Sequence, residues 1–409
     1  MQSTLLHTPV GVRDIYGEEC RNKLKIQGQL HDLFLSYGYS DIQTPTFEYF
    51  DIFNKERGSV ASKNLYKFFD REGYTLVLRP DMTPSIARSA AKYFMDENMP
   101  IRFCYAGNAF INDSEYQGKL KEFTQVGAEM IGDSTSDADA EMVAMLIETL
   151  LKAGLSEFHI EIGQPQFFKG LVKQAGLAED TVEELRELLE NKKYFGVEDV
   201  VAHLEISDEM KHILMEFQEY AGTVDMLEQV KQYALCEESM QALERLEKLY
   251  HILKIYGVEK YVSFDLSMLS MYDYYSGIVF RAYTYGTGDA IATGGRYDHL
   301  LEQFGKNAPA IGFAVNLDKL MVALVRQHIE PEAENSTIMV LYAQDHRDRA
   351  IRYTKELREK NKCVMMVRKR STHAIEEYKA YAQRYHVKRL FLITEEDCNE
   401  IQIDKCEKC

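Results

Sequence analysis

The chain has 409 residues, 45% hydrophobic and 11% aromatic, with only 8 prolines, which excludes a disordered chain or a disulfide-stapled miniprotein and suits two or three folded domains. With 48 Lys and Arg against 65 Asp and Glu the net charge is −17, so the chain as a whole is not attracted to phosphate backbones. The balance is uneven: residues 336–409 carry 16 basic against 12 acidic groups, a local charge of +4.

The opening MQSTLLHTPVGVRD has neither a basic n-region nor a long apolar stretch, and no later segment reaches about 18 apolar residues, so neither export nor a membrane span is expected and the reading is cytoplasmic. Apolar residues near Leu24, Ile26, Leu30, Leu33 and Phe34 predict a helix over about 18–37, stopped at Gly38. YSDIQTPTFEYF reads as a strand in which Pro45, lacking a ladder donor, marks an edge or an end. LYKFFD and YTLVLRPDMT form a hairpin around REG, and Pro84 opens a helix running to about Met95. IRFCYAGNAFI and EFTQVGAEMIG are strands joined by the polar loop NDSEYQGKLK; a long helix follows over 137–155, then the strand EFHIEIG.

Residues 165–257 read as almost wholly helical, interrupting the sheet. Strands resume at YVSFDLS, YYSGIVFRAYTYG and AIGFAVN, the last running into the helix LDKLMVALVRQ. After the polar linker HIEPEAENS the order becomes strand, helix, strand, helix, strand, which predicts a small α/β domain with parallel strands.

Several short patterns carry possible chemistry. LRPDMT places Asp81 and Thr83 between a strand and a helix, where they serve either as caps or as holders of an ammonium group. Gln125 and Glu129 share one strand face, which is either solvated or turned to a polar ligand. DYYSG, with Tyr274 and Tyr275, suits a core edge or a small heterocycle. GGRYD reads as a close-approach backbone turn and lacks the spacing of a phosphate loop. The seven cysteines are scattered, fit a reducing compartment, and offer only the terminal CEKC, Cys406 to Cys409 with Cys398 nearby, as a weak start for a zinc cage; no metal is expected.

Taken in order, TPVGVRDIYG, GYSDIQTP, VLRPDMT, the block from Tyr105 to Gly132, DYYSGIVF, GGRYD and AIGFAVNLDKL resemble the histidyl-tRNA synthetase family over about residues 8–325. The resemblance implies an α+β fold class: a class II aminoacyl-tRNA synthetase-like antiparallel sheet flanked by helices, dimeric through its first motif. It implies a core domain at 1–325 with a mainly helical insert at about 165–257, and a small C-terminal α/β domain at 336–409 similar to the family's anticodon-binding domain. It also implies a histidine pocket, since Asp81, Thr83, Gln125, Glu129, Tyr274 and Tyr275 match the family's amino-acid contacts.

Three catalytic positions depart from that pattern. The synthetases carry an arginine after GNAF, where this chain has Ile111. The arginine of their RGLDYY falls on Ser270, and their last motif arginine falls on Lys319, with Asn316 in place of a glycine that packs against adenine. Adenylate formation builds negative charge on phosphorus, and losing one preorganised donor commonly costs about 2.7–4 kcal/mol. Lysine keeps a charge but not the planar fork.

A kept ligand pocket with lost activation chemistry resembles the regulatory-subunit branch that serves ATP phosphoribosyltransferase. That implies a protein without catalytic residues or cofactor, required by a short-form catalytic subunit in the first step of histidine biosynthesis. L-histidine is then its feedback effector, and the protein a homodimer within a hetero-oligomer such as a hetero-octamer, with tRNA not an expected partner. The alternative is a divergent, working histidyl-tRNA synthetase, favoured by the basic tail alone. Ile111 and Ser270 also remove the arginines that offset the ligand's α-carboxylate in the synthetases, leaving Arg79 or Lys119 as candidate replacements.

Overall fold

The computed structural model of the protein describes residues 6–53, 60–113, 120–269, 275–329, 337–395 and 397–403, and the chain divides into two compact units, 1–331 and 332–409. In the first, α1 (Gly17–Ser36) buries Ile26, Leu30 and Phe34, the i, i+4 row of one face. The expected single strand after it is two: β1 (Ser40–Asp41) and β2 (Phe47–Tyr49) enter different sheets, because Pro45 between them has no N–H with which to continue a ladder. β3 (Lys67–Phe69) and β4 (Thr75–Leu78) form the hairpin, with β2 as the third strand of a small sheet ordered β2-β4-β3.

Next come α2 (Thr83–Tyr93), with Pro84 in its first turn, and the antiparallel pair β5 (Ile101–Phe110) and β6 (Glu122–Ile131). Thr135 caps α3 (Ser136–Lys152), its Oγ1 accepting from the Ala138 amide. β7 (Phe158–Gly163) leads into the insert: α4 (Pro165–Gln174), α5 (Glu179–Glu190), α6 (Tyr194–Ala202), α7 (Asp208–Met215), β8 (Ala221–Gly222), α8 (Val224–Val230) and α9 (Glu237–Tyr256). The insert is thus not wholly helical. β8 leaves it to pair with β9 (Val262–Asp265) at one margin of the main sheet.

β10 (Val279–Thr284), β11 (Ala292–Arg296) and β12 (Ala310–Asn316) complete nine strands, ordered β1-β5-β6-β12-β11-β10-β7-β9-β8. Pairing is antiparallel except for β1 with β5 and β7 with β9. α10 (Leu317–Arg326) follows β12 without a break. The reading of GGRYD as a turn is corrected: Gly294, Gly295 and Arg296 lie in β11, between β10 and β12. A Cβ on Gly294 would fall 2.4 Å from the Phe280 ring and one on Gly295 2.6 Å from the Tyr275 ring, so the glycines admit neighbouring side chains rather than reverse the chain.

Strand alternation sorts β6 into two faces. Val126, Ala128 and Met130 are fully buried in one core with residues of α1 and α3, while Gln125 and Glu129 face the opposite side. In the second unit, β13 (Thr337–Tyr342), α11 (Arg347–Glu359), β14 (Val364–Arg368), α12 (Ile375–Arg384) and β15 (Val387–Ile393) follow the expected alternation, with β13 parallel to both β14 and β15. β16 (Cys398–Ile401) was not foreseen; it adds antiparallel to β15 and takes Cys398 into a strand. Cys406 and Cys409 lie outside the described residues. Among the described residues no helix is long and apolar enough to cross a membrane.

Candidate functional site

β4 ends at Leu78 and α2 begins at Thr83, so Asp81 stands at the helix entry. Its Oδ1 accepts from the Met82 amide at 2.7 Å and lies 3.5 Å from the Thr83 amide, so it holds the first amides of the helix without occupying the cap position, which is Met82. Gln125 Oε1 accepts from the same amide at 3.2 Å and ties β6 to the helix start. The Thr83 hydroxyl turns away from the helix and donates to Glu129 Oε1 at 2.7 Å. These residues and Tyr275 line one cleft, closed by Thr293, Tyr297, Gly312, Phe313 and Ala314. Tyr274, Ser270 and Lys119 lie outside the described residues.

Glu129 is only 1% exposed, which removes the solvated-face reading of β6. Its Oε2 accepts from the Tyr297 hydroxyl at 2.5 Å, and the Tyr105 hydroxyl lies 3.4 Å from Oε1. Gly312, its register partner on β12, makes room for it: a Cβ there would fall 1.6 Å from Oε2. Burial pushes the Glu129 carboxyl up to about 8, against the lowering pull of the Tyr297 and Thr83 hydrogen bonds. At neutral pH the cleft therefore holds a largely protonated acid beside hydroxyls that burial keeps neutral. Such a group can donate to an unprotonated ring nitrogen or, ionised, accept from a cationic one.

Sequence reasoning missed Tyr105, Tyr297, Thr293 and Gly312. Three of these stood in motifs already singled out, Tyr105 at the head of the block to Gly132, Tyr297 in GGRYD and Gly312 in AIGFAVN, but pairing register decides which residues meet across strands.

The positions at which the resemblance predicts lost arginines are built differently from the cleft. Ile111 leaves β5 with its amide donating to Lys121 O at 2.9 Å and brings no charge. Lys319 Nζ donates to Asp289 Oδ2 at 3.2 Å and Ala290 O at 3.3 Å, at the entry to β11. Asn316 caps α10, its Oδ1 accepting from the Lys319 amide at 3.0 Å. A possible cation cluster that sequence did not suggest brings His31, Asp41 and Cys104 ligand atoms within 4.8 Å of one another. There His31 Nε2 and Asp41 Oδ1 already share a 2.6 Å hydrogen bond, and burial pushes the Cys104 thiol up to about 11, which favours a protonated sulfur over a metal ligand.

Comparison with known proteins places this geometry among relatives. The histidyl-tRNA synthetase family model matches residues 11–320. An ATP phosphoribosyltransferase regulatory subunit of Acetivibrio thermocellus is 41% identical, the match covering 88% of this chain and 86% of the relative. One of Ruminiclostridium cellulolyticum is 38% identical, covering 96% and 93%. The crystal structure of an ATP phosphoribosyltransferase regulatory subunit/histidyl-tRNA synthetase from Bacillus halodurans C superposes with a TM-score of 0.86 at 32% identity, covering 95% of this chain and 98% of that one. Histidyl-tRNA synthetase from Nostoc sp. PCC 7120, at 20% identity and a TM-score of 0.80 over 97% and 96% of the two chains, shares the fold.

Proposed function

The chain belongs to the histidyl-tRNA synthetase family and, within it, to the ATP phosphoribosyltransferase regulatory subunits, and from that membership we propose that it is a non-catalytic cytoplasmic sensor of L-histidine. It is required by the short-form catalytic subunit, and it passes the histidine signal to that partner. The observation that supports this most is Glu129: a buried carboxyl held by Thr83, Tyr105 and Tyr297 at one end of a cleft that also carries Asp81 and Gln125. One end of the cleft suits an imidazole and the other an ammonium group. Asp81, Thr83, Gln125, Glu129, Tyr274 and Tyr275 are the proposed histidine contacts.

Catalysis is a different matter. Ile111, Ser270 and Lys319 replace the guanidinium groups with which the synthetases grip triphosphate, and Lys319 is already engaged by Asp289. A bound histidine can regulate a partner only if it binds two states of the assembly with different affinity. The protein is accordingly a homodimer inside a hetero-oligomer with the catalytic subunit, and tRNA is not its partner.

The test is to mix the protein with a short-form catalytic subunit and follow phosphoribosyl transfer with and without histidine. Activity that depends on the mixture and falls on adding histidine supports the reading. ATP–pyrophosphate exchange driven by histidine in the pure protein would overturn it.

A further inference from the structure

Arg79 closes β4 and is only 5% exposed, yet among the described residues no carboxylate lies within ion-pair range of it. Its Nε donates to Asn108 O at 2.8 Å, and its Nη1 donates to Thr44 O at 2.8 Å and to Pro45 O at 3.1 Å. These acceptors are neutral. Burial lowers its pKa, while Glu48 acts on it only as a charge at a distance. A buried guanidinium without an anion is costly unless a ligand supplies one.

The remaining nitrogen, Nη2, has no acceptor among the described residues, and its position is informative. A Cβ on Gly107 would fall 2.6 Å from Nη2, so the guanidinium lies directly over this glycine. Gly107 is the register partner of Gln125, just as Tyr105 pairs with Gly127 and Phe103 with Glu129. By strand alternation all of these share the face that carries the cleft. Glu129 with its hydroxyls, Asp81 and Gln125 line the cleft, and Arg79 lies next to it, over Gly107, the register partner of Gln125. An α-amino acid with a cationic or hydrogen-bonding side chain presents the complementary series.

We infer that Arg79, through Nη2, is the cation that receives the ligand's α-carboxylate, in place of the arginines absent at Ile111 and Ser270. This inference rests on the reading of the cleft as a histidine site and adds the feature that separates histidine from imidazoles without a carboxylate. A charge-assisted hydrogen bond of this kind is worth roughly 10- to 100-fold in affinity.

Calorimetric titration of the full chain with histidine and with histamine tests it. The wild-type protein is expected to prefer histidine by at least about tenfold. Arg79→Gln removes the cation, and Gly107→Ala keeps the charge while its Cβ displaces the planar guanidinium from its place over residue 107. Loss of the preference in a folded variant supports the inference, and because Gly107→Ala keeps the guanidinium itself, it decides the matter if Arg79→Gln does not fold. A preference over histamine that survives in Gly107→Ala and in folded Arg79→Gln overturns this inference alone. A wild-type protein that binds no histidine overturns the reading of the cleft and this inference with it.

Discussion

Glu129 is a carboxyl taken almost wholly out of water. Its raised pKa means that the folded protein holds this proton more tightly than the unfolded chain does. The associated stability is full below the unfolded value of 4.5 and is lost as the pH rises towards about 8. Glu129→Gln removes that slope. Urea unfolding at about pH 5 and about pH 8 should show the wild type losing on the order of 3 kcal/mol relative to the variant across the interval. Gly312→Ala acts from the opposite side by pushing a methyl group into the carboxylate. Overpacking of this kind commonly costs about 1–3 kcal/mol, and histidine affinity should fall at least about tenfold, measured by titration and by melting. Both predictions concern single atoms that sequence spacing does not locate.

At the scale of elements, the cleft is held by an ion-pair network behind it. Arg296 in β11 is 1% exposed and meets Asp139 of α3 through Nε at 2.8 Å and Nη2 at 2.7 Å. Arg245 of α9 reaches the other carboxylate oxygen at 2.6 Å. One fully buried carboxylate thus joins the start of α3, strand β11 and the last insert helix. Removing it by Asp139→Ala strips the buried Arg296 of its nearer carboxylate, leaving it Asp298 at 3.1 Å, and should cost up to about 3–5 kcal/mol in chemical denaturation. Because Tyr297 directly follows Arg296, the same change should weaken histidine binding, and a titration at a temperature where the variant remains folded measures this. The packed insert is therefore tied to the site through α9, whatever else its surface does.

For the molecule as a whole, each unit has its own core. Residues such as Leu30, Met142, Val126 and Phe313 share one in the first unit, while Val340, Ala350 and Phe391, and on the other sheet face Leu341, Ala382 and Leu390, are buried in the second. A chain ending at residue 331 should melt cooperatively and keep its affinity for histidine, as scanning calorimetry with and without ligand can show. Histidine at about 100 times its dissociation constant should stabilise the full chain by about 2.7 kcal/mol, and an unchanged melting temperature would count against the sensor reading.

Much of this was legible in the sequence. Periodicity located α1, α3 and α10, the hairpin of β3 and β4, and the alternating C-terminal elements, because burial of one face imposes its repeat on the residues themselves. The spacing of Gln125 and Glu129 put both on one side of β6 for the same reason. Sequence also carried the identities of Ile111 and Lys319, on which the proposal of lost arginines rests, since identity needs no coordinates. Pairing was a different kind of information. That the GGR of GGRYD belongs to a central strand, that Tyr105 and Tyr297 converge on Glu129, that Gly312 vacates the space for it, and that Arg79 lies over Gly107 all depend on contacts between segments far apart in the chain. Such contacts are set by strand register and by which layer covers which, and no local pattern encodes them.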